Sequence, residues 1–345
     1  SLRNTHLYAL DADTGRPIQA FGDGGRVDLT PEGARRANGG SSPIVVGDVV
    51  VVAGTVDGAG DSGVRWKGSA PENVRGYDAR TGRLRWTFHV VPQSGEFGAE
   101  TWGAGSLTES GDLGAWCCLS ADPELGYVYV PLTAPTAAYY GGHRPGDNLF
   151  SNSLVALNAE TGERVWHFQM VHHDLWEYDT IGPPTLGEIT VGGRRIRAVM
   201  QPSKTGFLYV FDRETGQPVW PIEERPVPAS TVAGEVASST QPFPTRPAPF
   251  DRQGITVDDL IDFTPELRAE ALELVERAQL ASIFTPPTAG GDRPTIQLPG
   301  DGGGANWPGA AVDPETGRLF VPSSTTPKVV ELLEPAAPAN VHWAP

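Results

Sequence analysis

The sequence predicts an all-β fold, a β-propeller built from four-stranded antiparallel blades. A turn of the pattern Asp/Asn-x-x-Thr-Gly occurs five times between apolar strands, at residues 11–15, 78–82, 158–162, 212–216 and 313–317. In such a turn the first side chain caps the backbone and the glycine takes a positive φ, so each copy predicts a hairpin. In three copies a tryptophan follows the glycine at the same offset, at Trp86, Trp166 and Trp220. This regular offset indicates that neighbouring sheets dock on one another.

The composition agrees with a turn-rich β protein and excludes other classes. Glycine contributes 42 and proline 32 of the 345 residues, and 39% of the chain is apolar, which is enough for a core at this length. The net charge of −16 argues against a nucleic-acid binder, because such a protein needs a cationic face to meet phosphate. No purely apolar run approaches the length that a membrane span requires.

We predict a single partial propeller domain over residues 1–345. The turns are unevenly spaced, which indicates long insertions, and at roughly 40 to 50 residues per blade the chain holds five or six blades. Residues 221–290 are predicted to be a Pro-rich and helical insertion within this domain. Its helix begins at the capping residue Thr264, with Pro265 in the first turn. The apolar stripe of this helix comprises Leu267, Ala271, Leu274 and Ala278.

Three longer segments carry a more specific signal than the turns. They read Val-His-His-Asp-Leu-Trp-Glu-Tyr-Asp at 171–179, Gln-Pro-Ser-Lys-Thr-Gly at 201–206 and Gly-Gly-Ala-Asn-Trp at 303–307, with support from 141–148 and 222–228. The chain resembles the pyrroloquinoline quinone (PQQ) dependent dehydrogenases, in particular the quinoprotein glucose dehydrogenase-like branch, from about residue 7 to about residue 330. The resemblance implies an eight-bladed propeller with the quinone across its central axis. It also implies that this chain is an internal fragment without the first and last blades.

The resemblance implies an oxidoreductase that acts on the CH–OH group of an aldose sugar such as glucose, or of an alcohol. Hydride passes to PQQ, and ubiquinone or a cytochrome accepts the electrons. Members of the family work in the periplasm, either soluble or anchored to the membrane by a segment absent here. This chemistry needs a base for the hydroxyl proton and a cation that stabilises the charge developing on the cofactor oxygen.

Glu177 and Asp179 are the candidate acids. They stand two residues apart and point the same way on an extended strand end, and this spacing alone favours a solvated acidic turn. The resemblance implies that the first is the general base, usually Asp, and that the second lies close to the metal. Glu177 departs from this pattern, and misplacement by about 1 Å can cost ~100-fold in rate. Either the pocket compensates, or Asp174 or Asp179 takes the role, or the protein is slow.

Four residues are implied to contact the cofactor. Lys204 matches a catalytic lysine or arginine that hydrogen-bonds the quinone oxygens, and Trp116 matches an indole that stacks on the flat quinone. Asn306 and Trp307 match an Asn-Trp pair that contacts its polar edge. Without the resemblance, a surface lysine and a tryptophan in a blade core are the plainer interpretations.

The resemblance also implies a metal ion, Ca²⁺ or alternatively a lanthanide. Ca²⁺ takes about six to eight oxygen ligands, of which the quinone supplies some. The candidate protein ligands are Asp57, Asp179 and Glu177. Two places that often hold further ligands in related sequences read Gly58 and Thr133-Ala134 here, which reduces the expected ligand set. The sequence leaves the choice between the two metals open.

The alternative function is a non-catalytic propeller scaffold, or an inactive fragment, that binds protein partners. Outer-membrane assembly propellers share the same hairpin repeat. A scaffold has no need for the clustered acids together with Lys204 and the pair Asn306-Trp307, so we favour the enzyme lineage. Missing blades would leave an open sheet edge, which predicts a homodimer.

Overall fold

The computed structural model describes residues 6–30, 37–38, 41–56, 72–103, 105–116, 118–291, 293–335, 341 and 343–345. The strands in these ranges are β1 (His6–Tyr8), β2 (Arg26–Asp28), β3 (Ala37–Asn38), β4 (Ile44–Val46), β5 (Val49–Val52), β6 (Thr55–Val56), β7 (Val74–Asp78), β8 (Leu84–Phe88), β9 (Ser120–Asp122), β10 (Tyr127–Pro131), β11 (Ser153–Asn158), β12 (Arg164–Gln169), β13 (Thr185–Val191), β14 (Arg194–Pro202), β15 (Leu208–Asp212), β16 (Ile222–Pro226), β17 (Thr240–Pro244), β18 (Gln279–Leu280), β19 (Thr288–Ala289), β20 (Thr295–Gln297), β21 (Ala311–Asp313), β22 (Arg318–Phe320) and β23 (Lys328–Leu332). The helices are α1 (Ser106–Glu109) and α2 (Pro265–Glu276), with 3₁₀ turns at Ala99–Thr101 and Val257–Asp259.

The predicted fold class is confirmed by consecutive antiparallel sheets. Two antiparallel sheets have four strands, in the orders β4-β5-β7-β8 and β12-β11-β10-β9, and another antiparallel sheet has the order β13-β14-β15. Shorter antiparallel pairs, β1-β2 and β21-β22, precede and follow these sheets. A further four-stranded sheet, in the order β18-β20-β23-β19, is mixed, because β18-β20 and β19-β23 are parallel pairs. Strands β4, β9, β13 and β21 contact one another in succession. These four strands therefore form the inner edges of successive sheets, as in a propeller.

The Thr-Gly turns form hairpins, as predicted. In the first four copies an oxygen of the leading Asp or Asn side chain accepts a hydrogen bond from the threonine N–H. The turn glycines of all five copies have φ between 68° and 75°. The copy at 313–317 differs in position, because it joins inner strand β21 to β22 and thus corresponds to the turn between β9 and β10. The copies at 78–82 and 158–162 instead join the last two strands of their sheets.

Tryptophans dock neighbouring sheets, also as predicted. The Trp86 indole donates to the Ala159 carbonyl of the next sheet at 3.0 Å, and Trp166 donates to the Arg213 carbonyl at 3.2 Å. Each ring also covers the turn glycine of that next sheet. A Cβ at Gly162 would lie 2.5 Å from the Trp86 ring, so only glycine fits beneath it.

Helix α2 begins where the sequence predicts, and only the C-terminal end of its apolar stripe is buried. The Thr264 side chain accepts a hydrogen bond from the Leu267 N–H at 3.3 Å and Pro265 is the first helical residue. Leu267 is 39% exposed and Leu274 is 70% exposed, whereas Ala278, just beyond the helix end, is 6% exposed. The helix contacts β18, and among the described residues Leu267 and Leu274 remain exposed. No helix in the described part of the chain has the length and apolar character of a membrane span.

The antiparallel order decides where the candidate site lies. The Thr-Gly turns all lie at the same ends of the strands, on one face of the propeller. Because the strands are antiparallel, the segments that follow β8, β10, β12 and β14 all leave the sheets at the opposite strand ends. Those four segments contain Trp116, the 133–140 stretch, Glu177 with Asp179, and Lys204. The fold thus gathers residues that are far apart in sequence.

Candidate active site

Asp174 organises the loop that follows β12. Its two carboxylate oxygens accept hydrogen bonds from the N–H groups of Trp176 and Tyr178, each at 2.9 Å, and Asn152 donates to it at 3.2 Å. The residue is fully buried, and burial raises the pKa of Asp174 to about 6. With both oxygens engaged by the loop itself, Asp174 has a structural role here. Glu177 and Asp179 therefore remain as the candidates for the general base.

Asp179 and Lys204 form a buried ion pair. The Lys204 Nζ lies 2.6 Å from Asp179 Oδ2, and the side chains are only 5% and 7% exposed. The second Asp179 oxygen accepts from the Ala134 N–H at 2.8 Å, so both oxygens are held. Burial by itself would lower the pKa of Lys204, but the charges of Asp179 and Glu177 outweigh it and raise the pKa above its ordinary value. Lys204 is therefore a fixed cation inside the protein.

Glu177 lies beside this pair in a left-handed backbone conformation, with φ of 59°. Burial raises the pKa of Glu177 to about 7; Lys204 opposes this shift, and the charge of Asp179 adds to it. The Tyr139 hydroxyl donates to Glu177 Oε2 at 3.2 Å. Burial and the charges of Glu177 and Asp301 raise the pKa of Tyr139, so its phenol keeps its proton.

Lys328 and Asp301 form a partly exposed ion pair next to Tyr139. The Lys328 ammonium donates to the Tyr139 hydroxyl at 2.9 Å and also to Asp301. Both partners of this ion pair are about one-third exposed, whereas Tyr139 is 2% exposed. Neither Tyr139, Asp301 nor Lys328 was identified from the sequence. The first two adjoin the stretches 141–148 and 303–307 that carry the resemblance, but Lys328 has no sequence signal.

The 301–307 loop joins the charged cluster to an aromatic pair. Gly303 packs on Lys204 so closely that a Cβ there would lie 2.6 Å from the lysine Cα. Four residues on, the Trp307 ring meets the Trp116 ring edge-on, with centroids 5.1 Å apart. Asn306 turns its amide into its own loop, where it donates to the Gly302 carbonyl at 2.8 Å. The structure therefore brings Glu177, Asp179 and Lys204 together and pairs Trp116 with Trp307 on the loop that packs on Lys204, whereas the Asn306 amide stays within its own loop.

The donor chemistry of this place fits PQQ, a flat and anionic quinone. Lys204 is a buried ammonium with three donors, of which the contact with Asp179 uses one. Trp116 and the 58% exposed Trp307 contact each other edge-on at the end of the loop that packs on Lys204, and indole rings offer apolar surface to a flat ligand. Lys204, Trp116 and Trp307 are therefore the residues that could hold the quinone.

The described residues do not by themselves complete a metal site. Among them, no group of three or more His, Cys, Asp or Glu side chains is arranged to hold an ion. Glu177 and Asp179 supply two carboxylates, and both Asp179 oxygens already have protein partners. The third predicted ligand, Asp57, lies outside the described residues.

Comparison with known proteins gives the family. The chain matches the family described as "PQQ: Glucose/ethanol/alcohol dehydrogenase, beta-propeller domain" over residues 1–343. Quinoprotein glucose dehydrogenase A of Acinetobacter calcoaceticus is 34% identical over 351 residues, which cover 98% of this chain and 42% of that protein. The glycerol dehydrogenase large subunit of Gluconobacter oxydans is 33% identical over 336 residues, 95% of this chain and 44% of that protein. The chain thus spans less than half the length of these relatives.

Solved structures agree on the fold. A quinohemoprotein alcohol dehydrogenase from Pseudomonas putida HK5 superposes with a TM-score of 0.66 at 24% identity, over 97% of this chain and 43% of that one. A europium-containing methanol dehydrogenase superposes with a TM-score of 0.64 at 21% identity, over 98% of this chain and 52% of that one. The order of the sheets and the match to the family over residues 1–343 agree on the family of this chain. The chain belongs to the β-propeller family of PQQ-dependent glucose, ethanol and alcohol dehydrogenases.

Proposed function

We propose that this chain is the cofactor-binding part of a quinoprotein dehydrogenase that oxidises the CH–OH group of an aldose such as glucose, or of an alcohol. The observation that carries the proposal is the buried Lys204–Asp179 ion pair beside Glu177. A buried charge pair is expensive to maintain, and charged groups in a buried site are typical of catalytic centres. The relatives named above, a glucose and a glycerol dehydrogenase, both act on such groups.

Each residue has a role that its surroundings support. PQQ, when bound, supplies an electrophilic carbonyl that accepts hydride. Glu177 takes the hydroxyl proton of the substrate, and a pKa of about 7 suits a general base at neutral pH. Lys204 stabilises negative charge on the cofactor oxygen, and Asp179 holds its ammonium in place. Trp116 and Trp307 give the flat ring an apolar surface.

We propose Ca²⁺ or a lanthanide as the metal, with Glu177 and Asp179 as its described carboxylate ligands and Asp57 as a further one. The electron acceptor is a quinone such as ubiquinone or a cytochrome. The location is the periplasm, a proposal that rests on the family resemblance and that cell fractionation can test.

Titration of the purified chain with PQQ, first with Ca²⁺ and then with a lanthanide, tests the binding site. Cofactor absorbance and tryptophan fluorescence should report saturable, metal-dependent binding. Lys204→Met and Trp116→Ala should each weaken it by at least about tenfold, since each removes a principal contact. Trp220→Phe is the matched control, because Trp220 packs against a blade core on the sheet β13-β14-β15. Absence of binding by the folded wild-type chain, or unchanged binding by Lys204→Met, would contradict the proposal.

Activity with glucose, glycerol and ethanol and an artificial electron acceptor tests the chemistry. Loss of the general base in Glu177→Gln should reduce kcat by about 100-fold or more, measured at metal and PQQ concentrations that saturate the variant. Activity of Glu177→Gln equal to wild type would show that another group is the base.

A further inference from the structure

Tyr139 occupies the space between the buried acid and the solvent-facing ion pair. Its hydroxyl donates to Glu177 Oε2 at 3.2 Å and accepts from Lys328 Nζ at 2.9 Å. Its neighbour Tyr140 is also buried, but the Tyr140 hydroxyl donates to the Ala233 carbonyl at 3.3 Å and not to Glu177. Two adjacent tyrosines thus face different surroundings, and one of them contacts the candidate base.

The direction of these hydrogen bonds follows from the chemistry of the partners. A lysine ammonium can only donate, so the Tyr139 oxygen must act as the acceptor for Lys328. The single phenolic proton therefore remains available for a carboxylate. Asp301 also accepts from Lys328, and its carboxylate lies close enough to the Tyr139 hydroxyl to help raise the pKa of this phenol. The phenol that donates to Glu177 Oε2 is thus contacted by both members of the Lys328–Asp301 ion pair.

A glutamate at this position needs such a donor more than an aspartate would. Its carboxylate stands on one more rotatable bond, and the resulting freedom must be removed before the oxygen is correctly placed. A misplacement of about 1 Å can cost ~100-fold in rate. Glu177 also departs from ordinary backbone conformation, with φ of 59°, so its own backbone does not give it a standard side-chain direction.

We propose that Tyr139 is a positioning residue for Glu177, held in place by Lys328 and Asp301. Because Tyr139 engages Oε2, proton abstraction from the substrate falls to Oε1. This inference rests on the proposed function of Glu177 as the base. It explains how the pocket accommodates the longer acid.

The contact itself can be tested without cofactor. All eight tyrosines are replaced by 3-fluorotyrosine, and the ¹⁹F resonance of position 139 is identified as the one missing from Tyr139→Phe. Glu177→Gln and Lys328→Met should each shift this resonance, whereas Glu224→Gln, at a 51% exposed acid, should leave it in place. An unmoved resonance in both test variants would overturn the proposal.

Kinetics of the PQQ-loaded chain test the consequence. Tyr139→Phe should lower kcat by about 10- to 100-fold, with KM for the sugar and the affinity for PQQ within about twofold of wild type. Tyr140→Phe should leave all three unchanged. In the Glu177→Asp background the loss from Tyr139→Phe should be smaller, because the shorter acid needs less restraint. An equal loss in both backgrounds would reduce Tyr139 to a packing residue and overturn the proposal.

The two proposals fail in different ways. A folded wild-type chain that binds no PQQ contradicts the proposed function, and the ¹⁹F shifts then still decide whether Tyr139 holds Glu177. Normal turnover together with kcat unaffected by Tyr139→Phe leaves the proposed function intact and refutes the positioning role.

Discussion

At the scale of single residues, His173 and Glu235 form a second buried ion pair near the candidate site. Their side chains are 1% and 2% exposed, and His173 Nε2 lies 2.7 Å from Glu235 Oε1. The other ring nitrogen, Nδ1, lies 2.7 Å from the Gly146 carbonyl. The carbonyl cannot donate, so Nδ1 is the donor in this second contact. Glu235 also accepts from the Gly141 N–H at 2.5 Å, so the pair ties the 141–146 loop to the segment before β17.

This pair predicts a sensitivity to acid. Burial favours a raised pKa for Glu235, but the hydrogen bond and charge of His173 outweigh burial and lower the pKa below its ordinary value. The stabilisation is therefore complete above the unfolded pKa of about 4.3 and is lost as pH falls through the lower folded value. Glu235→Gln should reduce the free energy of unfolding by about 3 kcal/mol near pH 7. Its difference from wild type should shrink below about pH 4, as measured by chemical denaturation at several pH values.

The matched control is Glu224→Gln. Glu224 contacts His172 at 3.1 Å, but its side chain is 51% exposed. An exposed pair contributes at most about 1 kcal/mol. If both variants lost stability equally, burial would not be the source of the effect.

The residue scale also shows how far sequence reasoning reaches into the site. Glu177, Asp179 and Lys204 were identified because each stands inside a segment with a recognisable pattern. Tyr139 and Lys328 could not be identified, because their contact joins positions 189 residues apart. Only the arrangement of the sheets brings such positions together, and no local pattern records it.

At the scale of elements, the contact between tryptophan and turn glycine decides how sheets pack. Gly162 has φ of 75°, and a Cβ there would meet the Trp86 ring at 2.5 Å. Gly15 occupies the same place in an equivalent turn with φ of 68°, and nothing lies within 4 Å of its Cβ position. A substitution at Gly15 therefore measures the backbone strain alone, whereas the same substitution at Gly162 adds the clash with the Trp86 ring.

Gly162→Ala should therefore destabilise the protein more than Gly15→Ala. Alanine at a positive φ costs about 1 kcal/mol in either turn, and overpacking against Trp86 adds about 1–3 kcal/mol in the first. Thermal and chemical denaturation of the two variants measure the difference. Equal losses would mean that the ring moves aside freely. The variant Trp86→Leu should relieve the extra cost in a double mutant.

These elements were predictable from sequence to different degrees. The hairpin turns depend on residues within five positions of each other, so the pattern alone determines them. The start of α2 at Thr264 is equally local. The burial of its apolar stripe is not local, because it depends on whether another element lies over Leu267 and Leu274. Periodicity indicates which residues share a helix face, but the neighbouring elements decide whether that face is covered.

At the scale of the whole molecule, strand β22 forms an exposed sheet edge. In the described residues β22 pairs only with β21, and its Phe320 is 59% exposed. An edge with unpaired N–H and C=O groups and an exposed aromatic ring favours pairing with another chain. The net charge of −16 opposes association at low salt, and physiological salt screens that repulsion.

We expect concentration-dependent dimers in sedimentation velocity at about 0.15 M salt. Phe320→Lys should shift the chain towards monomer, because a charge on the edge discourages strand pairing. Leu274 lies on helix α2 and is 70% exposed, and Leu274→Lys should leave the dimer intact. Loss of the dimer in Leu274→Lys alone would assign association to the helix instead.

The way Trp86 and Trp166 meet the next sheet has a consequence for how such a molecule evolves. Each indole recognises a backbone carbonyl and a glycine, and neither partner depends on the side chains of the adjoining sheet. One sheet is therefore an acceptable neighbour for another almost regardless of the rest of its sequence. Gene duplication could add a copy of the unit without a simultaneous change in the unit beside it. The segments that follow β8, β10, β12 and β14 could then diverge in sequence while the tryptophan contacts between sheets stayed the same.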